Sequence, residues 1–179
     1  FDCETDGLDS NNAGLVGVSL ALLEGPWGDV NSTRRRAAYL PLMHRTPGAA
    51  VQGALDLLGD GGDKDAGKLL EGQIPFKTAI EKLKPLLEDP AVLKVGQNIK
   101  YDMAVFRRHG VEIGPVDDTM LISFVLDAGK NNHGMDELAE LHLGQKTIKF
   151  SDVAGSGSKQ VTFDKVPEQA LVRIKMAFR

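Results

Sequence analysis

The sequence predicts an α/β fold, and the order of its segments gives three reasons for this. Three apolar strand-like stretches come first, at Phe1–Glu4, Leu15–Leu23 and Ala37–Met43, and polar turns join them. An amphipathic helix follows at Pro75–Leu87, and the short apolar stretch Val92–Gly96 leads directly into a second helical pattern. Consecutive strands of this kind favour an antiparallel meander, and the later alternation indicates helices packed over a mixed sheet.

The boundaries of the strands carry turn-forming and strand-ending residues. Asn11, Asn12 and Gly14 supply the turn before the second strand. Pro41 predicts an edge or terminal position for the third strand, because proline cannot donate a ladder hydrogen bond. The dense basic run Arg34–Arg36 is expected to be a solvated loop leading into that strand.

The helices follow from apolar spacing. Phe76, Ile80, Leu83 and Leu87 recur at helical intervals beneath charged neighbours, which predicts a helix covering the sheet. Residues 97–110 have a polar start, an apolar stripe, a basic end and a terminating glycine. Further predicted segments are a helix at Met120–Leu126 with capping residues at 117–119, a helix at Gly134–Gly144, a mainly loop stretch at Thr147–Phe163 and a helical stretch at Val166–Arg179.

Length and composition predict one soluble domain over residues 1–179. The 179 residues are 42% hydrophobic and 26% charged, enough for one full-sized core. Residues 44–73 are rich in Gly, Asp and Lys and are expected to form a flexible surface insertion, with a possible short helix at Ala49–Leu58. The tail at about 167–179 is atypical. The chain lacks an initiator methionine and is expected to be an excised domain or a gene fragment.

Charge and cysteine content exclude several classes of protein. The net charge of -4 argues against binding nucleic acid by a broad basic surface, although a carboxylate site that meets phosphate through metal ions remains compatible. The single cysteine, Cys3, rules out a disulfide framework and is expected to be a small buried packing residue. The sequence contains neither an apolar run of membrane-spanning length nor a leader, so a cytoplasmic protein without membrane contact is expected.

The acidic pair Asp2 and Glu4 predicts a metal site. Residues two apart on a strand face the same side, so the two carboxylates would repel each other strongly unless a cation lies between them. Hard divalent cations such as Mg²⁺ and Mn²⁺ prefer carboxylate oxygens. A bare Asp-x-Glu pair is also common in solvated surface turns, and the pair alone does not exclude that alternative.

A third acid, Asp102, lies about one turn into the helix that follows the fourth strand. If the first and fourth strands are neighbours, the start of this helix places Asp102 over the same end of the sheet as Asp2 and Glu4. The alternative is a first-turn acid that complements the helix dipole. Asn98 could likewise be a simple helix cap.

Segments around these acids resemble a known family. They are residues 1–9, 95–102 and 118–121, with further matches at 135–140 and 146–150. Together they closely resemble the 3'-5' exonuclease (proofreading) domain of bacterial DNA polymerase I, a DEDD exonuclease, from Phe1 to about Pro167. The resemblance implies a ribonuclease H-like fold, in which helices flank a mixed five-stranded sheet whose first three strands are antiparallel.

The same resemblance implies a role for each matching residue. Asp2 and Glu4 would ligate one Mg²⁺ or Mn²⁺ ion and Asp102 a second, for two-metal hydrolysis of DNA that releases deoxynucleoside 5'-monophosphates from the 3' end. Leu8 and Phe150 would wedge and stack against terminal bases of a single-stranded or frayed 3' end, with ordinary core packing as the alternative. The other implied substrate-binding residues, most of them along the single-strand groove, are Thr5, Gln97, Asn98 and Tyr101. An attached polymerase domain is a possible partner.

The sequence departs from the family at its end. The family's Tyr-x-x-x-Asp motif, which supplies a fourth metal ligand and positions water, is replaced by Ile174 and Phe178. Two hypotheses follow: an active 3'-5' exonuclease, or an impaired domain that binds single-stranded nucleic acid or is a structural part of a polymerase. Asp164 and Glu168 are weak candidates to replace the missing acid, because catalytic geometry tolerates little displacement.

Zinc and serine chemistry find little support in the sequence. The four histidines are dispersed and lack the spacing of a zinc site. His109 ends a predicted helix and His133 precedes one, which favours capping and surface roles. Ser156 and Ser158 lie in a glycine loop without an adjacent base, so a serine nucleophile is not expected.

Overall fold

The computed structural model describes residues 1–24, 34–46, 67–157 and 160–166. Within these ranges the chain has an α/β architecture, as predicted. Most of the predicted insertion and its short helix at Ala49–Leu58 lie outside the described residues. The atypical tail, with Glu168, Ile174 and Phe178, also lies outside them.

The first three strands form an antiparallel sheet in the order β1-β2-β3, which confirms the predicted meander. The strands are β1 (Asp2–Thr5), β2 (Leu15–Glu24) and β3 (Arg34–Pro41). The prediction of a loop at Arg34–Arg36 is wrong, because these residues pair with the end of β2 and extend the edge strand. Pro41 ends β3, the terminal position expected for a residue without a backbone N–H.

The remaining strands form a separate two-stranded parallel sheet, so one continuous five-stranded sheet is not observed. These strands are β4 (Lys94–Gly96) and β5 (Val116–Asp118), the second of which was not predicted. The Phe1 backbone nitrogen donates to the Val95 carbonyl oxygen at 2.9 Å and links β1 to β4. Two residues further along, the Cys3 N–H is taken by the Asp102 carboxylate instead of a strand carbonyl, so the contact between β1 and β4 does not continue as a ladder.

The described part of the chain contains five α-helices. They are α1 (Phe76–Glu88), α2 (Lys100–Arg107), α3 (Thr119–Asp127), α4 (Met135–Leu143) and α5 (Phe150–Ala154). The helix α2 is shorter than the predicted 97–110, and α4 ends at Gly144 in a left-handed conformation, as its glycine suggests. In the described residues, none of these helices has the length and apolar character needed to cross a membrane.

The prediction of a mainly loop segment at Thr147–Phe163 is wrong in part. The helix α5 forms there, and a 3-10 helix follows at Phe163–Lys165. Asp152 accepts a hydrogen bond from the Lys149 N–H at 3.3 Å and so caps α5. Ala154 and Phe163 are buried in a small apolar cluster on the second face of the antiparallel sheet, which anchors a segment of weak local propensity.

The main core lies on the first face of the antiparallel sheet. Cys3 and Val18 point into it from the strands, and the buried sides of α1 and α2 cover it through Leu83 and Phe106. Cys3 is therefore a buried packing residue, as predicted. Because side chains alternate along a strand, this placement puts the neighbours of Cys3 on the opposite face.

Gly17 on that opposite face lies directly beneath the Tyr39 ring. A Cβ atom at Gly17 would lie 2.0 Å from the Tyr39 hydroxyl oxygen, and that hydroxyl is held by His44 Nε2 at 2.6 Å. Because the ring is buried and hydrogen-bonded, it has little room to move. We expect Gly17→Ala to lower the free energy of unfolding by about 1–3 kcal/mol in urea denaturation. Gly134→Ala, where a Cβ atom would meet open space, is the steric control and should lower it less, through the poorer N-cap of α4 alone.

Candidate metal centre and substrate site

Asp2 and Glu4 lie on β1 and face the same side of the sheet. Their side chains are half-buried, whereas Cys3 between them points into the core. In the register of the sheet, Asp2 lies opposite Ser19 and Glu4 opposite Gly17. The pair is thus fixed on a paired strand, and the alternative of a solvated surface turn does not apply.

Asp102 approaches the free edge of β1 from the first turn of α2. Its side chain is only 3% exposed, and its Oδ1 accepts a hydrogen bond from the Cys3 backbone N–H at 2.8 Å. Cys3 stands between Asp2 and Glu4 in the strand, so the third carboxylate lies beside the other two. The three acids singled out in the sequence therefore lie on adjoining elements, close enough for their charges to interact.

Burial and mutual repulsion make these carboxyl groups weak acids. Burial, followed by repulsion from Asp102, raises the pKa of Asp2 to about 6. Burial, followed by repulsion from Asp2 and then Asp102, raises the pKa of Glu4 to about 7. Burial also raises the pKa of Asp102, and its hydrogen bond from Cys3 opposes that effect. At neutral pH the site therefore carries negative charge that a bound cation would stabilise.

The chemistry of this donor set fits Mg²⁺ or Mn²⁺, since hard divalent cations prefer carboxylate oxygens. The ionisation of Asp2 and Glu4 is opposed by desolvation and like charge, and that of Asp102 by desolvation, so a cation would stabilise all three carboxylates. Within residues 1–24, 34–46, 67–157 and 160–166, no group of three or more His, Cys, Asp or Glu side chains is yet close enough to enclose an ion. One oxygen of Asp102 is directed to Cys3, so the acids would have to draw together around a cation.

The turn that follows β1 presents Leu8 to solvent. The Leu8 side chain is 97% exposed, which excludes core packing as its role. Beside it, the Tyr101 hydroxyl donates to the Gly7 carbonyl oxygen at 2.7 Å and lies 2.7 Å from Thr5 Oγ1. Thr5 Oγ1 also donates to the Gly7 carbonyl oxygen at 2.8 Å. Thr5 and Tyr101 therefore fix the backbone immediately before the exposed leucine.

Gln97 and Asn98 occupy the loop between β4 and α2. Gln97 Nε2 donates to the His133 carbonyl oxygen at 2.8 Å, and Gln97 Oε1 accepts from the Thr119 hydroxyl. Asn98 adopts a left-handed backbone with φ of 54°. Its Oδ1 is buried and has no hydrogen-bond partner among the residues that the structure describes. The Asn98 side chain does not cap α2, whose N-cap is Ile99.

Comparisons with known proteins identify the family of this chain. A sequence profile described as 3'-5' exonuclease matches residues 1–169. The chain belongs to this 3'-5' exonuclease family. The DNA polymerase I of Rhizobium leguminosarum is 50% identical over 166 residues, which cover 93% of this chain and 15% of that protein. The DNA polymerase I of Pseudomonas aeruginosa is 42% identical over 174 residues, which cover 95% of this chain and 16% of that protein.

The resemblance to the exonuclease domain of DNA polymerase I is thus confirmed. The chain spans only about 15% of the length of the curated relatives it matches. A solved structure described as the "apo form of the nuclease" superimposes on this exonuclease domain with a TM-score of 0.50, at 18% identity. The match covers 98% of this chain and 65% of the chain in that structure. At 18% identity the match shows similarity of the fold alone.

Phe150 begins α5 of the exonuclease domain and is 45% exposed. Its ring stacks on the buried ring of Phe163, with centroids 6.3 Å apart and an interplanar angle of 23°. One face of Phe150 is thus supported, and the side chain still presents apolar surface to solvent. This placement lies between core packing and the exposed stacking surface that the family resemblance implies.

Several polar residues are buried that the sequence did not single out for buried roles. His44 is fully buried beside Tyr39, and burial lowers its pKa. His133 is 7% exposed, and its Nδ1 lies 2.8 Å from Ser123 Oγ, so the prediction of a surface or capping role is wrong. Asp164 is also buried, and it lines a pocket of about 380 Å³ together with Asp6 and Arg45. The burial of these three residues depends on tertiary packing, which the local sequence does not encode.

Asp102 is expected to support the fold as well as the metal centre. Asp102→Asn keeps an oxygen for the Cys3 N–H, whereas Asp102→Ala leaves this edge donor without its partner. Both changes remove the charge, so their comparison isolates the hydrogen bond. We expect Asp102→Ala to be less stable than Asp102→Asn by about 1–2 kcal/mol in urea denaturation with EDTA. Equal stabilities would mean that solvent replaces the carboxylate at Cys3.

Proposed function

We propose that this exonuclease domain removes nucleotides from the 3' end of DNA and releases deoxynucleoside 5'-monophosphates, with two Mg²⁺ or Mn²⁺ ions as cofactors. The observation that carries the proposal is the approach of the Asp102 carboxylate to β1 beside Asp2 and Glu4. Three acids at one sheet edge, in a 3'-5' exonuclease family, are suited to metal-dependent phosphodiester hydrolysis.

Asp2 and Glu4 would hold one ion and Asp102 the second. When bound, the ions would supply Lewis-acid stabilisation of the charge that develops on the phosphate and on the attacking and leaving oxygens. The chain's own contribution is positional. Pairing with β2 fixes Asp2 and Glu4 to a rigid strand, and the bond to Cys3 fixes Asp102 at its edge.

Leu8 and Phe150 would receive the terminal bases of the strand. Leu8 projects almost wholly into solvent, and Phe150 exposes part of a ring that Phe163 supports from behind. Apolar and aromatic surfaces bind unstacked bases of any sequence, because every base has a π-face. This chemistry supports a preference for single-stranded or frayed 3' ends.

Four polar residues would line the path of the strand. Thr5 and Tyr101 order the backbone next to Leu8, and Gln97 is anchored between two segments of the chain. Asn98 offers a buried amide oxygen without a partner among the described residues, which could accept from a nucleotide hydroxyl or amino group. These contacts would hold the end of the strand over the acids.

We further propose that residues 1–179 form one ribonuclease H-like domain of a longer DNA polymerase I. The bond from Phe1 to the Val95 carbonyl oxygen supports a strand order of β3-β2-β1-β4-β5 once the two sheets draw together. The two relatives named above carry the matching segment as about 15–16% of their length. The polymerase domain would then be the partner, and the cytoplasm the place of action.

The test is release of mononucleotide from 3'-labelled single-stranded DNA in Mg²⁺ or Mn²⁺. The wild-type chain should release label, and chelation by EDTA should stop it. The double variant Asp2→Ala, Glu4→Ala is the matched comparison. Equal background release from both proteins would contradict the enzyme proposal and favour a domain that only binds nucleic acid.

A further inference from the structure

Leu8 is carried on the opening turn, which we define as residues 6–14. The ends of the turn are tied, because the Asp6 N–H donates to the Gly14 carbonyl oxygen at 3.2 Å and the Gly14 N–H returns to Asp6 Oδ1 at 2.6 Å. The Ala13 N–H donates to the Asp9 carbonyl oxygen at 2.7 Å and closes the interior. Several N–H groups of the turn therefore donate to acceptors within the turn, and three of its carbonyl oxygens are directed toward the end of α2.

Arg108, at the end of α2, takes three of these carbonyl oxygens. Its Nη1 donates to the Ala13 oxygen at 2.6 Å and to the Ser10 oxygen at 3.2 Å, and its Nη2 approaches the Asn12 oxygen at 3.5 Å. A guanidinium group offers five N–H donors in a fixed plane, so one side chain can hold several carbonyls at once. A residue 98 positions away in sequence therefore fixes the backbone on the C-terminal side of Leu8.

Tyr101 holds the other side of the same leucine. Its hydroxyl donates to the Gly7 carbonyl oxygen, and it stands seven residues before Arg108. Seven residues are about two helical turns, so Tyr101 and Arg108 project from the same side of α2. The helix thus grips the opening turn on both sides of Leu8, and the same helix carries Asp102 to the acids on β1.

We propose that Arg108 is a positioning residue for Leu8 and thereby determines how well the domain opens a paired 3' terminus. The inference rests on the proposed function, in which Leu8 separates the terminal base. A wedge needs a rigid support, because a side chain on a loose turn yields when it meets a stacked base pair. A terminus that is already frayed needs no wedge, so the effect of Arg108 is specific for paired ends.

Arg107 provides a matched control. It precedes Arg108, carries the same charge and pairs instead with Glu112, with Nε to Oε1 at 3.0 Å and Nη2 to Oε2 at 3.0 Å. Arg107→Met and Arg108→Met therefore remove the same charge from adjacent positions. Of these two, only Arg108→Met removes the hydrogen bonds to the opening turn. Arg108→Lys keeps the positive charge but replaces the planar guanidinium group with one ammonium group on a flexible chain.

The experiment uses a hairpin DNA with 2-aminopurine as its 3'-terminal base, either paired or mismatched, and the full chain with Ca²⁺ as the cation. Ca²⁺ binds carboxylates with a looser geometry than Mg²⁺, which favours binding over cleavage. Unstacking of the probe raises its fluorescence. We expect Arg108→Met to reduce the rise at the paired terminus by about threefold or more, and to leave the mismatched terminus nearly unchanged.

The controls separate the inference from the proposed function. Arg107→Met should match the wild type on both DNAs, Leu8→Ala should lose the paired-end signal, and Arg108→Lys should be intermediate. Hydrogen exchange at the Ala13 and Gly14 amides should accelerate in Arg108→Met while its circular dichroism stays unchanged. If Arg108→Met is unfolded, Arg108→Lys decides instead, and a wild-type signal from it overturns the proposal.

A paired-end signal that survives Arg108→Met but is lost in Leu8→Ala overturns the positioning role and leaves the wedge intact. A signal that survives Leu8→Ala overturns both the wedge and its positioning by Arg108. If the wild type changes the fluorescence of neither DNA, the proposed function is contradicted, and the positioning role of Arg108 is contradicted as well.

Discussion

In EDTA at pH 8, the amide variant Asp2→Asn, Glu4→Gln is expected to unfold at higher urea concentration than the wild type. The reason is that burial and mutual repulsion raise the pKa of Asp2 to about 6 and that of Glu4 to about 7. At pH 8 both groups are ionised in the folded and unfolded states. The free-energy cost of burying two charges that repel each other therefore falls on the folded state alone. Removing both charges should raise the free energy of unfolding by roughly 2–3 kcal/mol.

The sign of the pH dependence follows from the same shifts. A carboxyl group whose folded-state pKa is raised binds protons in the folded state first, so folding becomes more favourable as the pH falls. The advantage of the amide variant should therefore shrink as the pH falls through about 7 and then 6, and vanish near the ordinary carboxyl pKa of about 4. Urea denaturation at pH 8, 7, 6 and 5 measures this directly.

Divalent cations should reverse the order of stability. Mg²⁺ or Mn²⁺ should stabilise the wild type and not the amide variant, since ligand binding to the folded state adds to its stability. Exonuclease activity of the amide variant should fall by at least about a hundredfold. Glu140→Gln, at an exposed position on α4, is the control and should behave as the wild type in every assay. A less stable amide variant in EDTA at pH 8 would mean that burial and repulsion do not penalise the ionised acids.

The parts of the fold that the sequence predicts are those with a local period. Alternation placed Asp2 and Glu4 on one face of β1 with Cys3 in the core, and helical spacing located α1 within one residue at each end. The matching segments near the acids identified the family, whereas the placement of Asp102 near Asp2 and Glu4 was conditional on the first and fourth strands being neighbours. In the structure these two strands lie in separate sheets, and the Asp102 carboxylate reaches β1 at the Cys3 N–H.

The parts that the sequence missed depend on contacts between distant segments. The helix α5 needs burial against the antiparallel sheet, and β3 extends to Arg34 only because β2 is long enough to pair with it. The burial of His133 depends on packing between segments that no local periodicity records. Asp118 was predicted as a cap, but half of its hydrogen bonds lie in a loop about 20 residues earlier.

Asp118→Ala is expected to be among the most destabilising single substitutions in the domain, because one buried carboxylate serves two segments. Its Oδ1 accepts from the N–H groups of Met120 at 2.9 Å and Leu121 at 3.4 Å, at the start of α3. The same carboxylate accepts from the N–H groups of Asn98 and Ile99, both at 3.0 Å, just before α2. Losing the cap and these charge-assisted bonds should cost about 3–4 kcal/mol in urea denaturation.

The matched control for this residue is its neighbour. Asp117 is exposed on the same short strand, and Asp117→Ala should change the free energy of unfolding by less than about 0.5 kcal/mol. Asp118→Ala should also weaken binding of single-stranded DNA, since the Gln97–Asn98 loop loses its anchor. A variant as stable as Asp117→Ala would contradict the anchoring role of the carboxylate.

Asp118→Asn tests the two oxygens of the carboxylate separately. Oδ1 serves Asn98, Met120 and Leu121, while Oδ2 serves only Ile99. An asparagine would therefore turn its one oxygen to the Oδ1 position and direct its amide NH₂ at the Ile99 N–H, where donor meets donor. Hydrogen exchange should accelerate at the Ile99 amide while the Met120 amide stays protected. Because Ile99 is the N-cap of α2, the same substitution should loosen the first turn of α2, which carries Asp102 to β1.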